Sequence, residues 1–217
     1  MKKSKIILLI IILLLIILSI FTVIKINQYN TIINIANANI EKRDTKNFYY
    51  EVNNVTENSI FKIWVKDSKI KHQAFTNNNL TQTIYVDSIN NSTCIVTEED
   101  KAYSIQENQT LIQPVFINSP NILDSAIGIV KNSSFSNKIS FAFSIKSVNS
   151  ELLDNKSTIK VSYKIDDTLE TTWFDSTTLY PIKTELNSNI NSTYNLTDCT
   201  LSDEELTFTN IENYNQI

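Results

Sequence analysis

The chain has 217 residues, 19 of them basic and 23 acidic, with one histidine, one glycine and two cysteines. A single glycine leaves no phosphate-cradling loop, and one histidine with two distant cysteines gives no zinc-ligand spacing. The net acidic balance argues against a nucleic-acid partner.

The first element is an apolar run. Ile6 to Ile24 is nineteen residues without a charge, between Lys2, Lys3 and Lys5 on one side and Lys25 on the other. At about 1.5 Å per residue such a helix covers the roughly 30 Å hydrocarbon thickness of a bilayer. The run is longer than a secretory h-region, and Ser19-Ile20-Phe21-Thr22-Val23 is a poor cleavage site, so an uncleaved signal-anchor is expected. The preceding lysines favour a cytoplasmic N-terminus. Residues 1–25 are then the cytoplasmic stub and transmembrane anchor, and residues 26–217 form one extracytoplasmic domain. Lys2, Lys3 and Lys5 precede the run, which leaves 16 basic residues beyond it against 23 acidic, a formal charge of 16 − 23 = −7. Membrane proximity is therefore expected from the anchor and not from a basic patch.

Beyond Lys25, Tyr29, Ile32, Ile33, Ala36 and Ile40 recur at helical spacing, which predicts a helix continuing to about Arg43. From Asn47 the period changes to two. Phe61, Ile63 and Val65 alternate with Lys62, Trp64 and Lys66; Ile84 and Val86 alternate with Thr83, Tyr85 and Asp87. The same pattern reads Ile139, Phe141, Phe143 and Ile145 as a strand, and Ile159, Val161, Tyr163 and Ile165 as another. One apolar and one polar face is the pattern of an antiparallel sheet covered on one side. Short polar turns separate the runs, with Asn standing in for Gly where left-handed backbone is needed. Ser119-Pro120 predicts a helix start, with Ile122, Leu123, Ala126, Ile127 and Val130 on one face. The predicted order is helix, five or six strands, helix, five or six strands: an α+β domain, mainly antiparallel β.

Candidate chemistry is sparse. A Ser-His-Asp or Cys-His arrangement has only His72 to use, and His72 reads as a satisfied or exposed strand residue. Glu98-Glu99-Asp100, Asp166-Asp167 and Asp203-Glu204-Glu205 read as solvated turn tips and not as carboxylates facing each other across a cleft. No enzyme activity, cofactor or metal is expected. Cys94 and Cys199 lie in an outward-facing domain, where a disulfide between them is permitted and a pair of small buried residues is the alternative. Phe61, Phe141, Phe143, Tyr163 and Phe208 are assigned to the covered side, either as ordinary core or as the lining of a hydrophobic ligand cavity. Trp64 and Trp173 fall on the opposite register and are candidates for an exposed partner interface.

Several segments carry a family resemblance. Phe61-Lys62-Ile63-Trp64-Val65-Lys66-Asp67-Ser68-Lys69-Ile70-Lys71 resembles an early hairpin, and Thr83 to Asp87, Cys94 to Val96 and Ala102 to Ile105 resemble the meander after it. Thr172-Trp173-Phe174-Asp175-Ser176-Thr177-Thr178-Leu179-Tyr180-Pro181-Ile182-Lys183 is similar to a pair of strands joined by a turn, with an aromatic and Asp before it and Leu-x-Pro after. Together they resemble the LolA/LolB-like lipoprotein carriers, including the Gram-positive branch of the spore-germination lipoprotein GerS. The resemblance implies a curved, unclosed β-barrel covered by helices over a hydrophobic cavity. This chain departs from the lipoproteins in having no cysteine directly after the apolar run. The expected role is a membrane-anchored protein-interaction module holding or regulating a cell-envelope or spore-germination enzyme. The alternative is a tethered binder of a lipid or lipoprotein acyl chain.

Overall fold

The computed structural model describes residues 3–107, 118–131, 133–209 and 213–217, with side chains from Ile6 onward; Lys2 lies outside the described residues. Helix α1 (Lys3–Asp44) is one uninterrupted rod of 42 residues. From Ile6 to Ile24 its side chains are exposed, and the segment is long and apolar enough to be a candidate membrane span or signal-anchor. Its second half turns Ile32, Ile35 and Ala36 into the core, together with the fully buried Asn39. The helix therefore continues as predicted, but its buried stripe includes an asparagine. The Asn39 side-chain amide donates to the carbonyls of Ile35 (2.8 Å) and Leu179 (2.9 Å), which compensates part of the cost of burying it.

Six strands follow: β1 (Asn47–Asn54), β2 (Ser59–Lys66), β3 (Lys69–Thr76), β4 (Asn79–Asp87), β5 (Ser92–Thr97) and β6 (Ala102–Glu107). Then come α2 (Asn121–Lys131) and α3 (Phe135–Ser144), and after them β7 (Ile145–Leu153), β8 (Lys156–Ile165), β9 (Thr168–Asp175), β10 (Pro181–Leu186), β11 (Asn189–Thr197) and the short β12 (Asn215–Gln216). All join in one sheet, ordered β12-β6-β5-β4-β3-β2-β1-β11-β10-β9-β8-β7. Neighbours are antiparallel except β12 on β6. The sheet is open: β7 and the β6/β12 side form its two ends, and the α2–α3 connection carries the chain from one to the other.

Turn chemistry explains why consecutive strands pair. Asn77-Asn78, Asp154-Asn155 and Asn187-Ser188 all hold both central residues at positive φ, the geometry that matches the twist of a two-residue hairpin. Asparagine does supply the turns that glycine usually makes.

On the inner face, α1, α2 and α3 pack over β1 and β7–β9. Ile32, Ile35, Ile122, Leu123 and Phe141 close over Ile145, Val161, Tyr163 and Phe174. Each such fully buried side chain contributes roughly 1.5–3 kcal/mol relative to exposure. A second cluster, Phe48, Tyr50, Val52, Ile63 and Val65, continues across the inner face of β1–β4. A third lies on the outer face of the far half, where Phe208 and Tyr214 cover Cys94, Val96 and Tyr103.

The structure corrects the strand expected over Ile139–Ile145. Residues Phe135–Ser144 are helix α3, with the Ser134 hydroxyl accepting from the Asn137 amide as N-cap. Alternating Ile, Phe, Phe and Ile fits a strand, yet Phe141 and Ile145 also sit one helical turn apart and are the two that are buried. Helix α2 begins at Asn121, immediately after Pro120, whose carbonyl accepts from the Leu123 and Asp124 amides.

Candidate partner-binding surface

Register places one row of side chains across the outer face of β1–β4. Tyr49 pairs with Trp64, Trp64 with Lys71 and Lys71 with Tyr85, so the four stand side by side on the same face. The Tyr49 and Trp64 rings are 5.0 Å apart, and the Lys71 ammonium lies 5.9 Å from the Trp64 ring and 5.4 Å from the Tyr85 ring. The next row repeats the theme: Glu51 and Lys62 pair at 3.7 Å, and Lys62 stands over Phe75. Tyr49 donates its hydroxyl to Glu51, and burial together with that carboxylate pushes the phenol well above its ordinary range. All of these side chains are half-buried. The arrangement is a row of aromatics alternating with lysines; the Tyr and Trp rings are residue types enriched where proteins meet, whereas lysine is not.

Trp173 is also on the outer face, but its exposure is only 5%, which corrects the exposed position expected of it. Lys160 and Lys183 flank it in register and lie 4.9 and 5.1 Å from its ring. Its indole N–H donates to Glu151, which also pairs with Lys160. The alkyl stems of the two lysines roof the ring. Trp64 is therefore the half-buried tryptophan on this face, and Trp173 the covered one.

The five aromatics assigned to a covered cavity do not meet. Phe141 and Tyr163 do, with rings 5.7 Å apart beneath α2, where the Tyr163 hydroxyl reaches Ser125. Phe61 belongs to the second cluster and stacks on His72 at 6.0 Å. Phe143 is exposed beside Phe21 of α1. Phe208 lies on the outer face with Tyr85 and Tyr103, opposite to the side expected, because the C-terminal segment crosses behind the sheet. That segment is held by Lys66–Asp203 (3.0 Å), by Lys69 to the Thr207 hydroxyl (2.8 Å) and by Lys71 to the Glu205 carbonyl. Between it and β4–β6 is a cleft of about 210 Å³ lined by Lys69, Tyr85, Cys94, Ile105 and Phe208.

Of the two alternatives for Cys94 and Cys199, the structure has both free, without a bridge between them. Cys94 points from β5 into the Phe208 cluster, where burial pushes its thiol up to about 11, while Cys199 lies half-buried beyond β11. His72 is neither an exposed nor a satisfied strand residue. It shares the inner face with Ile63 and Ile84, its Nε2 is buried without a hydrogen bond among the described residues, and burial lowers its pKa. Glu98 is tied to Tyr214 and Lys101; burial acts to raise its pKa, but those hydrogen bonds outweigh it and hold the carboxyl below the usual range. Among the described residues no group of three His, Cys, Asp or Glu is placed to hold a metal.

One buried acid escaped the sequence. Glu170, on the inner face of β9, is 1% exposed and receives the backbone amides of Asn121 and Ile122 (both 3.0 Å), the Asn121 side-chain amide (2.7 Å) and the Thr172 hydroxyl (3.3 Å). It satisfies donors at the start of α2 from a strand 49 residues away, and the negative charge suits that helix end.

The architecture is thus an open, mostly antiparallel β-sheet with helices on one face, joined without a break to a long apolar N-terminal helix. No known family matches the sequence, and no curated protein does. Among solved structures, 22 chains match. One is MucB in complex with MucA(peri), at 12% identity and a TM-score of 0.42, over 81% of this chain and 59% of that one. Another is PNGF-II, at 9% identity and a TM-score of 0.28, over 73% of this chain and 28% of that one. This chain thus spans less than two thirds of either protein.

Proposed function

We propose that this chain is a membrane-anchored extracytoplasmic protein-interaction module with a LolA-like domain and no catalytic role, whose partner is a cell-envelope enzyme. The observation that carries the proposal is the outer-face pair Tyr49–Trp64, on a sheet joined to the apolar part of α1 through one unbroken helix, with Lys71 and Tyr85 continuing the row to where the C-terminal segment packs on it. Tyrosine and tryptophan supply large contact area at low side-chain entropy cost, and the interleaved Lys71 adds charge selectivity toward an acidic or polar partner surface. The test is purification of the full chain in mild detergent from its host. Trp64→Ala is expected to lose a stoichiometric co-purifying protein while the domain still unfolds cooperatively, at a midpoint lowered by the lost Tyr49 contact. Retention of that protein by Trp64→Ala, with or without a change in stability, would sink the proposal.

A second reading, a tethered acyl-chain binder, draws on the cleft beneath the C-terminal segment. At about 210 Å³ it is smaller than the roughly 300–1,000 Å³ of ordinary small-molecule pockets, so a lipid tail would enter only if that segment moved. Native mass spectrometry separates the two readings: a lipid-sized adduct released on denaturation supports the acyl chain, and a bound protein supports the interaction module.

A further inference from the structure

Helix α3 is oddly placed for a core element. It has 10 residues, and Phe141 is its buried side chain. Phe135, Ile139 and Phe143 instead fall at i, i+4 and i+8, one stripe on the side away from Phe141, and are 79%, 43% and 55% exposed. A helix this short is marginal in water on its own and gains most of its stability from packing an apolar face. Here the larger apolar face stays mostly exposed, with Phe21 beside Phe143 as the aromatic contact on it.

Its neighbour indicates what covers that face. The Phe143 ring lies 6.2 Å from Phe21, which belongs to the exposed apolar run of α1, and the Lys25 ammonium donates to the Ile145 carbonyl at the end of α3. Phe21 precedes Lys25 by four residues, about 6 Å along the helix. The stripe of α3 is therefore continuous with the apolar surface of α1 at the level where α1 would leave the hydrocarbon. Charge is distributed to match. From Ser125 to Ser150 the chain carries Lys131, Lys138 and Lys146 and no acid, in a chain whose overall balance is negative. Lysines beside such a stripe extend to the headgroups while their stems stay in the apolar layer.

We infer that α3 is an interfacial helix: Phe135, Ile139 and Phe143 insert into the outer leaflet of the membrane that α1 spans, giving the domain a second point of attachment. This rests on the anchored reading of α1 proposed above. The partner is the lipid bilayer itself and not another protein.

The test uses the full chain in phosphatidylcholine vesicles, with single tryptophans added at exposed positions and the emission of the parent, Trp64 and Trp173, subtracted. Phe135→Trp and Ile139→Trp are expected to lose about half of their added emission to lipids brominated near the headgroup end of the acyl chain, the depth of roughly 5–10 Å at which interfacial helices lie. Ile89→Trp, at the exposed β4–β5 turn, is the unquenched control. Ile12→Trp reports separately on α1 through lipids brominated near the bilayer centre. If Ile12→Trp is quenched while both α3 tryptophans are quenched by aqueous acrylamide and not by lipid, the anchor holds and α3 is not inserted. If the α3 tryptophans are shielded from acrylamide and bromolipid alike, protein covers the stripe and the inference is overturned. If Ile12→Trp escapes the bromolipid, the anchored reading fails and the inference fails with it.

Discussion

Glu170→Ala tests whether the helix-covered half of the domain depends on one buried carboxylate. Glu170 accepts four hydrogen bonds, two of them from the first backbone amides of α2, in a place with 1% exposure. Removing it leaves those two amides without acceptors, and each orphaned buried donor costs about 1–3 kcal/mol. The loss of negative charge at the helix N-terminus adds about 0.3–2 kcal/mol. A total of roughly 4 kcal/mol is expected; with a urea dependence of about 2 kcal/mol per molar, the midpoint falls by about 2 M. Glu170→Gln keeps an oxygen for one amide but turns an N–H₂ toward the other, so about half that loss is expected. The assay is urea unfolding of the full chain in mild detergent followed by tryptophan emission, since Trp173 sits on the same strand. A midpoint change below about 0.3 M for Glu170→Ala would refute the capping role.

Three further outcomes follow from the same structure. His72 is held neutral by burial, so its folded pKa lies below the ordinary 6.5 and the unfolded chain binds more protons as pH falls through that value. Stability is therefore expected to fall from pH 7 toward pH 5, and His72→Gln, which cannot titrate, flattens this window; an unchanged slope in the variant counts against it. Cys199 is expected to react with maleimide at neutral pH well before Cys94, whose thiol is raised to about 11 by burial. Intact-mass measurement then shows one fast label and a second only after denaturation, whereas two fast labels or none would contradict the thiol assignments. Asn39→Ala removes the amide that holds the Leu179 carbonyl, and Leu179 itself has the strained φ of 63°. It is expected to cost about 1–3 kcal/mol by thermal unfolding, and a neutral result would mean that the loop before β10 holds its shape without Asn39.

The elements most legible in the sequence are those whose signal is local. The apolar run and the helical spacing that follows it mark α1, and alternation bounded by Asn-rich turns marks the hairpins. Where the sequence misleads, the deciding contact is distant. Ile139, Phe141, Phe143 and Ile145 satisfy a strand period, and the helical alternative gains meaning only when Phe143 is seen beside Phe21, more than a hundred residues earlier. Trp173 alternates like an exposed residue, but Lys160 and Lys183 cover it only once β8, β9 and β10 are in register. Glu170 sits in Leu169-Glu170-Thr171 near a turn with nothing to distinguish it from a solvated acid, since its donors come from α2. Phe208 carries no local sign of which face its segment crosses. Of the candidate site, Trp64 was legible from its register, whereas its aromatic and lysine companions required the strand pairing.

The unbroken course of α1 has a consequence for release. The helix reaches the domain at Lys25, but Ile32, Ile35, Ala36 and Asn39 are part of the core. If α1 spans a membrane as proposed, a protease that cuts close to Ile26 separates the anchor from a domain that retains its core packing, and only the attachment inferred for α3 would then hold that domain at the bilayer. A cut beyond Ile32 takes core residues with the stump, and the freed portion is a damaged fold. A cleavage that leaves the fold whole is thus confined to the few residues between Ile24 and Ile32, a strip beside which the Lys25 contact to Ile145 brings the end of α3.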